Sequence, residues 1–88
     1  MNYVLIRHQV ANFKDWKEVY DSHAPKRQAA GLKDEKLLLN DDHKNEVILL
    51  FSAADLKKAR EFAESSDLRQ AMQVAGVTDS PDIYFLHD

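Results

Sequence analysis

The residues of this sequence that could do chemistry are concentrated in one predicted helix, in the segment DWKEVYDSHAPKRQAAG at positions 15–31. Four of them share one helix face, at steps of four, three and four residues, and they are Trp16, Tyr20, His23 and Arg27. Histidine is a general base near neutral pH, and arginine can stabilise an anion. This face could therefore form the wall of a ligand pocket, in which a base and a cation lie beside two aromatic rings.

Two interpretations of this helix face are open. The same face, about 120° wide, also carries Phe13, Val19 and Ala30. In the first interpretation its first two turns are core, Tyr20 and His23 have hydrogen-bond partners, and Arg27 reaches solvent. In the second, His23 and Arg27 face a pocket, because Pro25 breaks the helix beside them and exposes backbone groups. If a site exists, we expect it here, with His23 and Arg27 catalytic and with Trp16 and Tyr20 binding the substrate.

Three residues on predicted strands complete the candidate substrate-binding set, and they are His8, Tyr84 and His87. Helix one runs opposite to strand one, so His23 and His87 should fall at one end of the molecule and His8 at the level of Trp16. The first and last strands are antiparallel, which separates His8 from His87 by roughly 15 Å. They cannot share an ion, and each is otherwise typical of an edge or interface residue. No other metal-ligand spacing is present, so we predict no metal and no cofactor.

Composition restricts the class of protein. The 88 residues form one small domain, residues 1–88, with 44% hydrophobic and 31% charged residues, as in folded globular proteins. A net charge of -3 argues against nucleic acid as a partner, and no segment resembles a signal peptide or membrane anchor. We therefore predict a cytoplasmic protein. The absence of cysteine excludes thiolate catalysis and the C-x-x-C motif of metal chaperones.

The order of predicted elements defines the fold class. Strands are predicted over 3–10, 33–40, 46–52 and 83–87, with a helix between Asn12 and Gly31 and another in two halves over 55–76, the second half capped by Ser66. Right-handed crossovers then give the ferredoxin-like βαββαβ fold, an α+β arrangement. It has a four-stranded antiparallel sheet of spatial order 4-1-3-2 and both helices on one face.

The strands are apolar on both faces, although two helices can cover only one. Tyr3 to Ile6 and Val47 to Phe51 are continuous apolar runs, as is the shorter Leu37 to Leu39. Each exposed side chain would forgo about 1.5 to 3 kcal/mol of burial. We therefore predict a homodimer in which the two sheets meet face to face.

Several of these features together resemble a known group of proteins. They are the W-x3-Y-x2-H-x3-R helix ending in A-A-G, and the segment DLKKAREFAESSDLRQAMQVAGV, which is followed by a proline and the aromatic strand IYFL. The chain is similar over nearly its whole length to the dimeric α/β-barrel superfamily, in particular to uncharacterised members akin to antibiotic-biosynthesis monooxygenases. The resemblance implies a dimer with a pocket in each subunit between sheet and helices.

The resemblance also implies two alternative functions. One is a cofactor-independent monooxygenase-like enzyme acting on a phenol, quinol or other aromatic molecule, with His23 as base and Arg27 stabilising the substrate anion, which itself reduces oxygen. The other is a non-catalytic or stress-related dimer that binds a small hydrophobic molecule. The haem-degrading branch fits less well, because it needs an Asn on strand one, where this chain has Arg7, His8 and Gln9.

Overall fold

The computed structural model describes residues 1–88 as four strands and four helices. Their bounds are β1 (Asn2–Gln9), α1 (Phe13–Ser22), α2 (Ala24–Ala29), β2 (Leu32–Leu39), β3 (Glu46–Ala53), α3 (Leu56–Ala63), α4 (Ser66–Ala75) and β4 (Asp82–His87). All four predicted strands are present, within one residue of the expected bounds. Each of the two predicted helices consists of two consecutive shorter helices. None of the four helices is long and apolar enough to cross a membrane.

The four strands form one antiparallel sheet of order β2-β3-β1-β4. β1 is central, so that Val4 pairs with Phe51 of β3 on one side and with Phe85 of β4 on the other. The helices pack on one face of this sheet and enclose a core with the alternate residues of β1 and β3. The predicted ferredoxin-like fold, with spatial order 4-1-3-2, is confirmed.

The first crossover begins with a helix cap and contains a break. The Asn12 side chain accepts a hydrogen bond from the Asp15 backbone N–H at 3.0 Å, which fixes the start of α1. The helix cannot continue through Pro25, because proline has no N–H to donate to the Asp21 carbonyl. α2 starts at Ala24 with Pro25 in its first turn, where that N–H is not needed. The predicted break at Pro25 is thus present, with His23 at the junction of α1 and α2.

The second crossover is also broken, at a serine. The Ser65 hydroxyl accepts from the Leu68 N–H at 3.2 Å and donates to the Phe62 carbonyl at 2.7 Å. Ser65 is therefore the N-cap of α4, and the prediction of Ser66 was wrong by one residue. α4 ends at Gly76, whose φ of 83° lies in the left-handed region that glycine adopts without strain.

The two faces of the sheet differ sharply in burial. On the helix side, Val4 and Ile6 of β1 and Val47, Leu49 and Phe51 of β3 are buried. No element covers the opposite side, which we term the open sheet face. The register places on it Tyr3, Leu5, Leu38, Ile48, Leu50, Tyr84 and Leu86. This second face is apolar, as the sequence indicated, and Leu38, Tyr84 and Leu86 are each more than two-fifths exposed.

Candidate functional site

An apolar cavity of about 60 Å³ lies between the sheet and the helices, and we term it the central cavity. On the sheet side it is lined by Ile6, His8, Leu49 and Phe51. The helices contribute Trp16, Val19, Tyr20, Arg27, Phe62, Leu68, Ala71, Met72 and Ala75, and His23 joins them from the junction of α1 and α2. Only three of the fourteen lining residues are not hydrophobic, and these are His8, His23 and Arg27. The chemistry of the cavity therefore depends on two imidazoles and one guanidinium group.

His8 is the most deeply buried of the three polar groups that line the cavity. Its side of β1 faces the helices, and the residue is only 2% exposed. The His8 and Trp16 ring centroids are 5.6 Å apart, and neither His8 Nδ1 nor Nε2 has a hydrogen-bond partner. Burial lowers the pKa of His8 below its ordinary value of 6.5, which the charge of Asp79 only partly opposes. His8 therefore presents a neutral imidazole with one unused donor and one unused acceptor.

His23 lies at the opposite, outer part of the cavity. The His23 ring lies 5.8 Å from the Phe62 ring. The junction of α1 and α2 therefore packs against the end of α3, next to the junction of α3 and α4. Burial, together with the positive charges of Arg27 and Lys26, lowers the pKa of His23. Its imidazole is therefore also neutral at pH 7, and no hydrogen bond holds it.

A second depression lies outside the cavity, between α1 and α4, and we term it the outer groove. It is lined by Val19, Ser22, His23, Lys26, Asp67, Gln70, Ala71 and Val74. Val19, His23 and Ala71 belong to both linings, so they form the wall between the cavity and the surface. His23 is the polar residue among these three.

The face of α1 that carries Trp16 forms a continuous stack. The Trp16 ring lies 5.7 Å from that of Phe13 and 4.8 Å from that of Tyr20, and the Arg27 guanidinium lies 3.7 Å from the centre of the Tyr20 ring. Burial raises the pKa of Tyr20 to about 12, so its hydroxyl stays protonated. The stack forms one rigid side of the cavity.

Arg27 is buried and makes three hydrogen bonds, so it does not reach solvent as the first of the two interpretations held. Its Nε and Nη2 donate to the two carboxylate oxygens of Asp34 at 3.2 Å each, and its Nη1 donates to the Tyr20 carbonyl at 2.6 Å. These bonds join α2 to β2 and to the last turn of α1. Most of the charge of Arg27 is therefore neutralised by Asp34 rather than directed into the cavity.

Five of the seven candidate site residues line the central cavity, and these are His8, Trp16, Tyr20, His23 and Arg27. Tyr84 pairs with Leu5 on the open sheet face and is 53% exposed, so it cannot enclose a ligand in this cavity. His87 is exposed beside Asn2, at the other end of β1 from His8, and does not line the cavity either. No group of three His, Asp or Glu side chains is arranged to hold a metal ion.

Sequence reasoning named His8 as a candidate substrate-binding residue, with an edge or interface position as the alternative, and the structure places it in the cavity lining. The available signal was the alternation of β1, since Val4, Ile6, His8 and Val10 occupy every second position and are all buried. The cavity residues of α3 and α4, chiefly Phe62, Leu68 and Met72, were predicted as an apolar helix face but not as part of a site. Helical periodicity indicates burial but cannot distinguish a core residue from a cavity wall.

The chain has a ferredoxin-like fold with a cavity between sheet and helices. The sequence matches no protein-family model and no curated protein sequence. Solved structures nevertheless share this fold over the whole chain. A provisionally assigned antibiotic biosynthesis monooxygenase from Bordetella bronchiseptica superimposes with a TM-score of 0.78 at 11% identity, over 99% of this chain and 95% of that one.

Two further structures are similar to the same extent. A provisionally assigned antibiotic biosynthesis monooxygenase from Nitrosomonas europaea gives a TM-score of 0.70 at 14% identity, over 100% of this chain and 98% of that one. SnoaB, a cofactor-independent oxygenase from Streptomyces nogalater, gives a TM-score of 0.72 at 14% identity, over 99% of this chain and 93% of that one. The chain thus has the fold of antibiotic biosynthesis monooxygenase structures. Sequence identities this low support a shared fold and nothing further.

Proposed function

We propose that this protein is a cofactor-independent, monooxygenase-like enzyme that acts on a single-ring phenol or quinol bound in the central cavity. The observation that carries the proposal is the pair of neutral, unbonded imidazoles in a cavity whose other lining residues, apart from Arg27, are hydrophobic. The fold shared with SnoaB and the other monooxygenase structures supports the same reaction class. The size of the ligand follows from the cavity, whose 60 Å³ is far below the roughly 300 Å³ of the smallest drug-sized pockets.

His23 is the proposed general base. An imidazole whose pKa is lowered stays unprotonated at pH 7 and can accept a proton from a substrate hydroxyl. Because His23 also lines the outer groove, it can release that proton to solvent. Arg27 is a positioning residue in this proposal, since its charge disfavours the imidazolium form of His23 while its hydrogen bonds hold α2 in place.

The proposed reaction requires only oxygen and substrate. Deprotonation gives an electron-rich anion, which transfers an electron to oxygen, and the two radicals combine at a ring carbon to form a hydroperoxide. Loss of water from this hydroperoxide converts a hydroquinone into a hydroxyquinone, so one oxygen atom enters the product and the other leaves as water. Trp16 and Tyr20 enclose the ring and exclude bulk water during these steps.

Oxygen labelling tests this proposal. A single-ring hydroquinone is incubated with the protein under ¹⁸O₂, and oxygen uptake and product mass are recorded. We expect one labelled atom in the product and at least a hundredfold loss of rate in the His23→Ala variant, with His43→Ala in the exposed turn as control. Simple oxidation to the quinone, with both oxygen atoms leaving as peroxide, or an unchanged rate in His23→Ala, would contradict the proposal.

A second candidate function is non-catalytic binding of the same kind of molecule. It is favoured by the engagement of Arg27, because the ion pair with Asp34 leaves less positive charge to stabilise a substrate anion in the cavity. In this case the hydroquinone binds without any enzyme-dependent oxygen uptake. The labelling experiment therefore separates the two functions directly.

The proposed working unit is a homodimer formed through the open sheet face. The support is the exposure of Leu38, Tyr84 and Leu86 on a face that no element of the chain covers. A contiguous apolar surface of this kind is rare on monomeric proteins. A second copy presents the same surface, so a two-fold axis would bury both at once.

A further inference from the structure

We infer that His8 is the ligand-binding residue on the sheet side of the central cavity, and that it selects neutral hydroxylated rings over both apolar and anionic ones. This inference rests on the proposed function, because it assumes that the cavity is a ligand site. It assigns the hydrogen bond that orients the ligand to a strand residue rather than to the helix face around His23.

The burial of His8 is the first step of the argument. Its imidazole is enclosed by the sheet and by Trp16, yet both ring nitrogens lack partners. A buried polar group without a hydrogen bond destabilises the fold, and native proteins contain few of them. A partner supplied from outside the chain accounts for this histidine, and the central cavity is the space from which that partner can approach it.

The charges around His8 determine which ligands fit. Its neighbour Arg7 has its guanidinium on the other side of the sheet, bound to Glu46 at 2.8 Å, Asp79 at 3.1 Å and Asp82 at 2.8 Å. Arg27, the only cation in the cavity lining, is engaged by Asp34. A carboxylate or phosphate would therefore enter an apolar space without a counter-ion, which is strongly unfavourable.

A hydroxyl group matches what His8 offers. The neutral imidazole has one N–H donor and one acceptor nitrogen, and a hydroxyl can use either of them. His8 lies beside Trp16, and His23 follows Trp16 by seven residues, or about 10 Å along a helix axis. One aromatic ring with a hydrogen bond of about 2.8 Å at each end spans a comparable distance. A ring held by His8 thus extends toward His23.

The ring must displace some of the apolar lining as it enters. Met72 and Leu68 of α4 line the cavity and are only partly buried, and methionine is the most adaptable of the apolar side chains. Entry between α1 and α4 passes Val19 and Ala71, which are small or medium-sized residues. We therefore expect binding of single-ring ligands with millimolar rather than micromolar affinity.

Binding of three matched probes tests the inference. Phenol, toluene and benzoate share one ring and differ in the group that would reach His8. Each is titrated into the wild-type protein and the His8→Leu and His43→Gln variants, and binding is followed by the NMR shift of the indole N–H of Trp16, the only tryptophan. We expect phenol to bind wild type and His43→Gln about tenfold more tightly than it binds His8→Leu, with toluene unaffected and benzoate excluded.

Each alternative outcome has a distinct meaning. Equal binding of phenol and toluene to wild type, or equal phenol binding to wild type and His8→Leu, overturns the role of His8 but leaves the cavity a ligand site. Strong binding of benzoate overturns the selection against anions. Failure of all three probes to shift the Trp16 resonance overturns the proposed function itself, and the inference with it.

Discussion

The ring centroids of His8 and Trp16 lie 5.6 Å apart, at an interplanar angle of 52°, with both residues buried. This contact joins β1 to α1, and both residues line the central cavity. It gives His8 apolar packing but no hydrogen bond, since both imidazole nitrogens are unpaired. His8 is thus packed like an aliphatic side chain while it carries two polar atoms, and a buried histidine of this kind weakens the fold.

Replacing His8 by leucine should therefore stabilise the protein. The His8→Leu variant removes two unpaired polar atoms and retains an apolar side chain of similar size, so the free energy of unfolding should rise by about 1–3 kcal/mol. Urea unfolding measures this change, and His87→Leu, at an exposed position, is the matched control. A loss of stability in His8→Leu alone would indicate that His8 has a partner in the folded protein.

The two cavity histidines should make stability depend on pH near neutrality. Burial lowers the folded-state pKa of both His8 and His23 below the ordinary 6.5. Between the folded pKa and 6.5 the unfolded chain binds more protons than the folded one, so stability rises with pH there and falls as the pH is lowered from about 7. Asp79 opposes the shift at His8, and Asp67 opposes the shift at His23.

Unfolding free energies measured from pH 8 to pH 5 check this prediction. The slope should be positive in wild type and smaller in His8→Leu, which retains only the contribution of His23. The lowered pKa values of Glu46, Asp79 and Asp88 contribute only at lower pH, because the ordinary values are 4.5 for Glu and 3.8 for Asp. A slope that is the same in both proteins would show that His8 titrates normally.

The bonds of Arg27 should contribute to stability. In Arg27→Met the bidentate pair with Asp34 and the bond to the Tyr20 carbonyl are lost, and we expect a loss of about 2 kcal/mol in urea unfolding. Lys26→Met is the matched control, because the ion pair of Lys26 with Asp67 is 3.6 Å long and largely exposed and should contribute less than about 0.5 kcal/mol. Equal effects of the two substitutions would contradict this account of Arg27.

The open sheet face should hold two copies together. Leu50 lies at its centre, paired with Leu5, so a charge introduced there should prevent association. By sedimentation velocity at micromolar concentration we expect a dimer for wild type and a monomer for Leu50→Lys. The control Val74→Lys, on the exposed side of α4, should remain a dimer. A monomeric wild type would contradict the proposed dimer.

Local sequence signals were enough to predict the fold. Asn12 caps the start of α1 through its side-chain acceptor, Pro25 breaks the helix because it lacks an N–H, and Gly76 ends α4 in a left-handed conformation. Each residue marks a helix boundary that the sequence indicated. Capping and breaking depend on one or two turns of chain, and such features can be identified without knowledge of tertiary contacts.

The site was only partly predictable, because its key features depend on contacts between distant segments. The sequence left open whether Arg27 reaches solvent or faces a pocket, because its partner Asp34 is on β2, just before the β-bulge between Asp34 and Lys36. The alternation of β1 groups His8 with Val4 and Ile6, but the strands are apolar on both faces, so alternation alone did not show which face the helices cover or that Tyr84 lies on the open side. The face that a strand residue occupies can be assigned only once the pairing register of the strands is known.

The most direct test is the ¹⁵N NMR spectrum of the His8 imidazole, recorded from pH 8 to pH 5 with and without phenol. We predict that free His8 has a pKa below 6.5, because burial disfavours its charged form, and that saturating phenol shifts one of its ring nitrogens toward a hydrogen-bonded value. His43, in the exposed turn, should not respond to phenol. A His8 resonance that titrates near pH 6.5 and is unchanged by phenol would contradict both the buried imidazole and its role in the site.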